Sequence, residues 1–216
     1  VNPFIGTGGH GHTFPGAVVP HGMIQPSPDT RIDGWDACSG YYYEDSTING
    51  FSHTHVSGTG CCDYGDVLLM PTVGEQRYQT TDPQSQQLAY SSAFSHENET
   101  AEPGYYSVFL DTYQVKAEIS ATKRGAIHRY TFPESSEAGF ILDLDYSLQR
   151  QTNSDMGIEV ISDTEICGHK KTTYWAFDQY INFYAKFSKP FSYTLVTDSI
   201  TMDNGKRLPV CKVYYT

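Results

Sequence analysis

The sequence predicts an all-β fold: a two-sheet antiparallel β-sandwich with long ordered loops in its N-terminal third. From about residue 88 onward, apolar residues recur at every second position in short runs. Breaks such as Pro103-Gly104 and Asn204-Gly205 separate the runs. No segment shows a convincing pattern for a helix longer than a turn or two. Many short strands at close spacing are typical of a sandwich or a barrel.

The period-two runs identify the strands, because successive strand side chains point to opposite faces and each run therefore has one core face. The clearest runs are 105–110, 115–121, 140–146, 173–187, 191–197 and 209–215. In the run 173–187, Trp175 and Phe177 alternate in phase with Ile181 and Phe183, which predicts all of them on one core face. The last run has no closing turn. Because an unpaired apolar strand invites association, we expect the natural polypeptide to continue.

The chain of 216 residues fits one large β domain or two small ones by size, and it is long enough to bury a core without disulfides or metals. Its first 75 residues are rich in glycine, histidine, proline and aspartate and lack periodicity, which indicates long ordered loops. The five cysteines form no CxxC pair and match no zinc framework. We expect Cys38, which has no partner at suitable spacing, to be a free thiol.

The net charge of −11 excludes some classes of partner. Binding to nucleic acid requires a basic stripe that this sequence lacks, and anionic membrane surfaces are disfavoured for the same reason. No stretch of 18 apolar residues is present, so no membrane-spanning segment is expected. A neutral polar substrate is compatible with this composition.

Two His-x-His pairs, His10/His12 and His53/His55, have metal-ligand spacing. No third ligand accompanies either pair at the spacing of a known zinc motif, so hydrogen bonding within loops is the favoured interpretation. We assign no metal ligand to this chain from its sequence. The glycine-rich loop around the first pair lacks the lysine and the following helix that a phosphate-binding loop needs, which argues against nucleotide binding.

The segment 29–43 contains the strongest candidate for a ligand surface. Trp35 is flanked by Arg31, Asp33 and Asp36, with hydroxyl groups and glycines nearby. An indole face can pack on the C–H face of a pyranose while carboxylates and forked donors bind its hydroxyls. The alternative is a buried tryptophan with ordinary turn chemistry around it.

Several blocks of the chain resemble the opening of family 92 glycoside hydrolases. They are long, occur in the family's order and cover essentially the whole chain: VNPFIGTGGHGHTFPGAVVPHGMIQPSPDTR, GWDACSGYYY, GFSHTHVSGTGC, DYGDVLLMP, FSHENETAEPGYYSV, AEISATKRGAIHRYTFP and YWAFDQYINFYAKFSKPF.

The resemblance implies a calcium-dependent, inverting exo-α-mannosidase with α-1,2 specificity. Most members of the family are exported bacterial proteins. The resemblance therefore also implies a location in the periplasm, on the cell surface or outside the cell. Residues 1–216 would form a galactose-mutarotase-like supersandwich, followed beyond this chain by an (α/α)₆ barrel of the same polypeptide. The acid, the base and most calcium ligands would come from that barrel. We therefore assign no catalytic residue here, although Asp33/Asp36 and Asp63/Asp66 could be read as pairs, and expect the chain alone to be inactive.

By position in the matching blocks, the resemblance assigns the binding of mannose-containing glycans to two groups of residues. The first group is Phe14, Arg31, Trp35, Asp36, Cys38, Ser39 and Gly40, and the second is His53, His55, Asp63 and Asp66. Because binding groups sit on loops held by rigid strands, we expect the loops 8–15, 29–43 and 51–66 to converge on one concave face with Trp35 partly exposed. Two rival hypotheses are a free-standing carbohydrate-binding β-sandwich and a purely structural interdomain scaffold.

Overall fold

The computed structural model describes residues 1–58, 60–75, 87–150, 152–197 and 209–214. Within these ranges three single-turn 3₁₀ helices occur, at Trp35–Ala37, His96–Asn98 and Leu148–Arg150, and the rest of the regular structure is strand. The strands are β1 (Ser27–Asp29), β2 (Thr47–Ile48), β3 (Gly50–Ser52), β4 (Leu68–Val73), β5 (Ser92–Ala93), β6 (Glu99–Glu102), β7 (Tyr105–Leu110), β8 (Val115–Ala121), β9 (Ala126–Thr131), β10 (Ala138–Asp143), β11 (Thr152–Val160), β12 (Glu165–Thr173), β13 (Gln179–Lys186), β14 (Ser192–Thr197) and β15 (Pro209–Tyr214).

A six-stranded antiparallel sheet, in the order β1-β3-β4-β10-β15-β14, forms the centre of the molecule. Strand β10 is buried along its whole length. Ile141 pairs with Met70 of β4, and both belong to one apolar cluster. Its neighbours Phe140 and Leu142 point the other way and belong to a second cluster. The central sheet therefore has a core on each face.

The first core lies between the central sheet and a four-stranded sheet of β6, β7, β8 and β9. Strands β7 and β8 alternate as the sequence predicts, with one side chain inward and the next outward. The inward side chains are fully or almost fully buried: Tyr106, Val108, Leu110, Val115, Ala117 and Ile119. The predicted antiparallel β-sandwich is confirmed.

A third sheet, formed by β11, β12 and β13, adds to the predicted pair. Ile166 of β12 is buried in the second cluster, and Ile181 and Phe183 of β13 pack against it. Strand β13 alternates along its length, so these two predicted core residues are confirmed. No helix in the described ranges is long and apolar enough to cross a membrane.

Two expectations about strand ends are wrong. Trp175 and Phe177 are 71% and 85% exposed, because they lie in the turn between β12 and β13, where the strand pleat is interrupted. Strand β15 is not an unpaired edge, since it pairs with β10 on one side and β14 on the other. The predicted break at Asn204-Gly205 and residue 215 lie outside the described residues.

Candidate functional site

Three N-terminal loops meet beside the 3₁₀ helix that begins at Trp35. The amide of Gly58 donates to the carbonyl of His12 at 2.5 Å, which joins the third loop to the first. The Ser39 hydroxyl donates to the carbonyl of Thr13 at 2.9 Å, which joins the second loop to the first. Gly60 has a φ of 62°, and a Cβ there would lie only 2.8 Å from the Trp35 ring. The expected convergence of these loops is confirmed.

Trp35 presents its indole to solvent. The residue is 61% exposed, while its ring makes an edge-to-face contact with the His12 ring, with centroids 4.8 Å apart and planes at 82°. Gly34, at a φ of 102°, allows the sharp entry into the short helix. An exposed indole held on a rigid support is what stacking on a sugar ring requires. The expectation that Trp35 is not sealed between the sheets is confirmed.

A small polar cluster adjoins this indole. His10 Nδ1 lies 2.7 Å from Asp36 Oδ1, and His12 Nε2 lies 3.6 Å from the same oxygen. The hydrogen bond with His10 lowers the pKa of the Asp36 carboxyl, since it stabilises the charged form. His12 is buried, and its Nε2 has no hydrogen-bond partner in the structure. We call His10, His12 and Asp36 the histidine–aspartate cluster.

The residues that follow Asp36 are buried and shape the loop. The Cys38 thiol is free, as expected, and donates to the carbonyl of Trp35 at 2.7 Å. Burial raises its pKa, so the group remains a neutral thiol. Gly40 has a φ of 80°, and a Cβ there would lie 2.0 Å from Asp29 Oδ1. Cys38, Ser39 and Gly40 therefore hold the backbone that carries Trp35.

His55 and Phe14 lie beneath this loop. Their rings are 4.9 Å apart. His55 Nε2 contacts Asp29 Oδ1 at 2.7 Å, both side chains are fully buried, and His55 Nδ1 contacts the carbonyl of Gln25 at 2.7 Å. With both ring nitrogens occupied, His55 is an internal support for the loop.

The two aspartates of the third loop connect it to the β12–β13 hairpin. Asp63 accepts a hydrogen bond from the amide of Ala176 at 2.6 Å. Asp66 accepts one from Gln179 at 2.6 Å and pairs with Lys170 at 3.3 Å. Both aspartates are buried. These contacts place the exposed turn with Trp175 and Phe177 next to the third loop.

Arg31 and His53 contact other parts of the domain. Arg31 forms a bidentate pair with Asp45 and stacks 3.8 Å above the Tyr42 ring. It lines a polar cavity of about 270 Å³ whose other walls are Thr30, Asp33, Glu44, Asp45, Ser46, Thr47 and Gln87. His53 contacts the carbonyl of Val67 at 2.6 Å and His128 Nε2 at 3.1 Å.

The structure thus separates the eleven sequence-predicted residues by position. Trp35 and Asp36 reach the surface where the loops meet, Arg31 lines a separate cavity, and the others support the loops from inside. Sequence reasoning missed the link between the His10/His12 pair and Asp36, because 26 residues separate His10 from Asp36 in the chain. It also missed the exposure of Trp175, because the alternation continues in phase through the turn.

Within the described part of the chain, the clustered donor atoms do not fit calcium. Among the residues that the structure describes, the histidine–aspartate cluster is the only group of three or more potential ligands close enough to share an ion. Calcium takes six to eight oxygen ligands, whereas this group offers two imidazoles and one carboxylate. The calcium ligands that the resemblance implies are therefore not assigned to the described residues.

Comparison with known proteins finds glycosidases as the relatives of this chain. The model of the glycosyl hydrolase family 92 N-terminal domain matches residues 1–209. A family 92 α-mannosidase from Bacteroides thetaiotaomicron, solved with mannoimidazole, is 38% identical with a TM-score of 0.90 over the whole chain. An inverting mannosidase of the same family and species is 26% identical with a TM-score of 0.70 over 96% of the chain. An uncharacterized secreted glycosidase from Arthroderma benhamiae is 31% identical over 140 residues, or 63% of the chain.

The relatives are much longer than this chain. It spans 30% and 27% of the two mannosidase chains and 17% of the secreted glycosidase. The family model nevertheless matches nearly its whole length, in agreement with the blocks around Trp35 and with the β-sandwich. The chain belongs to glycosyl hydrolase family 92, in which it corresponds to the N-terminal domain.

Proposed function

We propose that this chain supplies sugar-binding loops to an exported, inverting, calcium-dependent exo-α-mannosidase that removes terminal α-1,2-linked mannose from glycans. The active site would be completed by a C-terminal (α/α)₆ barrel of the same polypeptide. The mannosidase and inverting activities named for the family 92 structures support this proposal, as does the secreted state of the Arthroderma relative.

One observation carries the proposal: the exposed indole of Trp35 at the meeting point of three loops. Its 61% exposure leaves ring surface available for the C–H groups of a mannose. Asp36, partly exposed beside it, can accept hydrogen bonds from sugar hydroxyls. The buried residues around Cys38 and His55 keep the loops that carry Trp35 and Asp36 in one conformation. A sugar would therefore bind without ordering these loops first.

The acid and the base are proposed to lie in the barrel. An inverting glycosidase needs two carboxyl groups about 6.5–9.5 Å apart with water between them. Asp63 and Asp66 are buried and bind the amide of Ala176 and the Lys170 and Gln179 side chains. They are therefore committed to structure, and this chain contributes binding and orientation to the reaction.

The test is the substitution Trp35→Ala in the full-length polypeptide, with Trp35→Phe as the matched control. We expect Trp35→Ala to lower kcat/KM on α-1,2-mannobiose at least about tenfold, equivalent to about 1.4 kcal/mol of transition-state binding. Trp35→Phe should keep most of the activity, because it retains an aromatic face. Both variants should melt at the temperature of the parent, since the side chain is exposed. An unchanged kcat/KM in Trp35→Ala would contradict the proposal.

The same assays separate the rival hypotheses. The 216-residue chain alone should show no turnover of α-mannosides, and the full-length polypeptide should lose activity with a calcium chelator and regain it with calcium. A chain that binds mannose without any partner domain would favour a free-standing binding module. Full activity of Trp35→Ala would favour the scaffold hypothesis. Comparing α-1,2-, α-1,3- and α-1,6-mannobiose tests the linkage.

A further inference from the structure

The histidine–aspartate cluster has the composition of a transition-metal site. It combines two imidazoles and one carboxylate, and their ligand atoms all lie within 4.8 Å of one another. Three protein ligands of this kind, with a fourth position open, are the usual set of a reactive zinc site. Borderline ions such as Zn²⁺ prefer imidazole nitrogen, whereas Ca²⁺ and Mg²⁺ prefer oxygen.

The two distances from the histidines to Asp36 are close to those that such an ion needs. Zinc binds histidine nitrogen and carboxylate oxygen at about 2.0–2.1 Å, so two ligands of a tetrahedral ion lie roughly 3.4 Å apart. His12 Nε2 is 3.6 Å from Asp36 Oδ1, close to this separation. His10 Nδ1 is 2.7 Å from the same oxygen and would move outward by less than about 1 Å. The His10 side chain is largely exposed, so it is free to make this shift.

A second observation concerns the burial of the His12 ring. His12 is buried, yet its Nε2 finds no hydrogen-bond partner in the structure. Buried polar atoms nearly always have a partner, because an unpaired one costs about 1–3 kcal/mol of desolvation. The His12 ring makes an edge-to-face contact with Trp35, with ring centroids 4.8 Å apart, and its Nε2 lies 3.6 Å from Asp36 Oδ1. A cation between them would satisfy this nitrogen.

We propose that His10 Nδ1, His12 Nε2 and Asp36 Oδ1 bind a divalent transition-metal ion of the Zn²⁺ class, distinct from the calcium ion of the proposed catalytic function. The ion joins the first loop to the second directly beside the indole of Trp35. A fourth position on the ion would be available to water or to a hydroxyl-bearing ligand. The site is built from loops that the fold holds together, so it does not depend on the barrel.

The test uses Co²⁺ as a spectroscopic probe for Zn²⁺ on the full-length polypeptide after chelator treatment. We expect one Co²⁺ to give the visible absorption of a four-coordinate nitrogen–oxygen site, and Zn²⁺ to displace it. Excess Ca²⁺ should leave this absorption unchanged. Because the readout is spectroscopic, the outcome of this test does not depend on mannosidase activity.

The variants His10→Ala and Asp36→Asn should weaken Co²⁺ binding more than about tenfold, because loss of a ligand exceeds the effect of losing a supporting contact. The matched control is His21→Asn, which changes an exposed histidine outside the cluster and keeps a residue that tolerates its φ of 57°. The melting temperature of each metal-free variant checks folding. The proposal is overturned if the parent binds no Co²⁺, or if folded His10→Ala and Asp36→Asn bind it as tightly as the parent.

Discussion

The N-terminal loops and the four-stranded sheet are both well packed, but by different interactions. In β7 and β8 most buried side chains are apolar and point to one face, with Ser107 and Glu118 as the buried polar residues. In residues 1–67 many of the buried side chains are polar or charged: Thr7, His12, Ser27, Asp29, Thr30, Ser39, Asn49, Ser52, His55, Asp63 and Asp66. The sheet is stabilised by area removed from water, and the loops by specific hydrogen bonds and ion pairs.

This difference has consequences for function. Apolar packing tolerates changes of shape, whereas a buried polar group needs its own partner in a fixed direction. The paired side chains of the loops, such as Asp29 with His55 and Asp66 with Lys170, therefore define one loop conformation. A rigid platform under Trp35 is the result. Substitutions in both regions and a pH titration can test this difference.

The largest effect is expected where a loop charge is buried against the third sheet. Lys170→Met removes the partner of Asp66, and both side chains are fully buried. An uncompensated buried charge costs about 3–5 kcal/mol, so the free energy of unfolding measured in urea should fall by that amount. Lys171→Met is the matched control. Its pair with Asp178 is partly exposed and should contribute less than about 1 kcal/mol. Similar losses of unfolding free energy in Lys170→Met and Lys171→Met would contradict the difference between the two regions.

A slightly smaller effect is expected in the apolar core. Ile141→Ala on β10 leaves a cavity at the interface of the central and four-stranded sheets and should cost about 2–5 kcal/mol. The control Ile127→Ala, on β9, concerns a side chain that is 72% exposed and should leave the unfolding free energy nearly unchanged. Unfolding curves in urea measure the unfolding free energies of both variants. If Ile127→Ala proved as costly, strand packing would not follow the alternation described here.

The smallest effect is a pH dependence from the contact between the third loop and β9. His53 Nε2 lies 3.1 Å from His128 Nε2. Desolvation lowers the pKa of both imidazoles, and their mutual proximity lowers the pKa of His128 further. Each therefore binds more protons when unfolded, so its stabilisation is complete above about pH 6.5 and declines as the pH falls towards the folded pKa.

Between pH 7 and 6, the free energy of unfolding should fall by no more than about 0.7 kcal/mol for each of the two imidazoles. Urea titrations across this range provide the measurement. His128→Gln should flatten the slope, whereas His21→Asn, outside the contact, should leave it as in the parent. A parent protein whose stability is constant between pH 7 and 6 would show that these imidazoles titrate normally.

Much of the fold follows from local pattern. The runs at 105–110 and 115–121 became strands with the predicted faces, because alternation is a property of consecutive residues. The same reasoning was wrong at Trp175 and Phe177, where alternation continues through a turn, and at β15, which pairs with the preceding strand β14 and with the distant strand β10. Neither a turn within an alternating run nor a pairing partner is visible in local periodicity.

For the candidate site, the sequence by itself determined the residue types: a tryptophan among carboxylates, and histidines at i and i+2. Only the tertiary structure decided which of these meet. It brought Asp36 to His10 and His12, left Trp35 exposed above them, and turned His55, Asp63 and Asp66 inward to support the loops. The physical reason is that loop residues have no repeating geometry. Their positions depend on hydrogen bonds between segments far apart in the chain, such as Gly58 to His12 and Ser39 to Thr13.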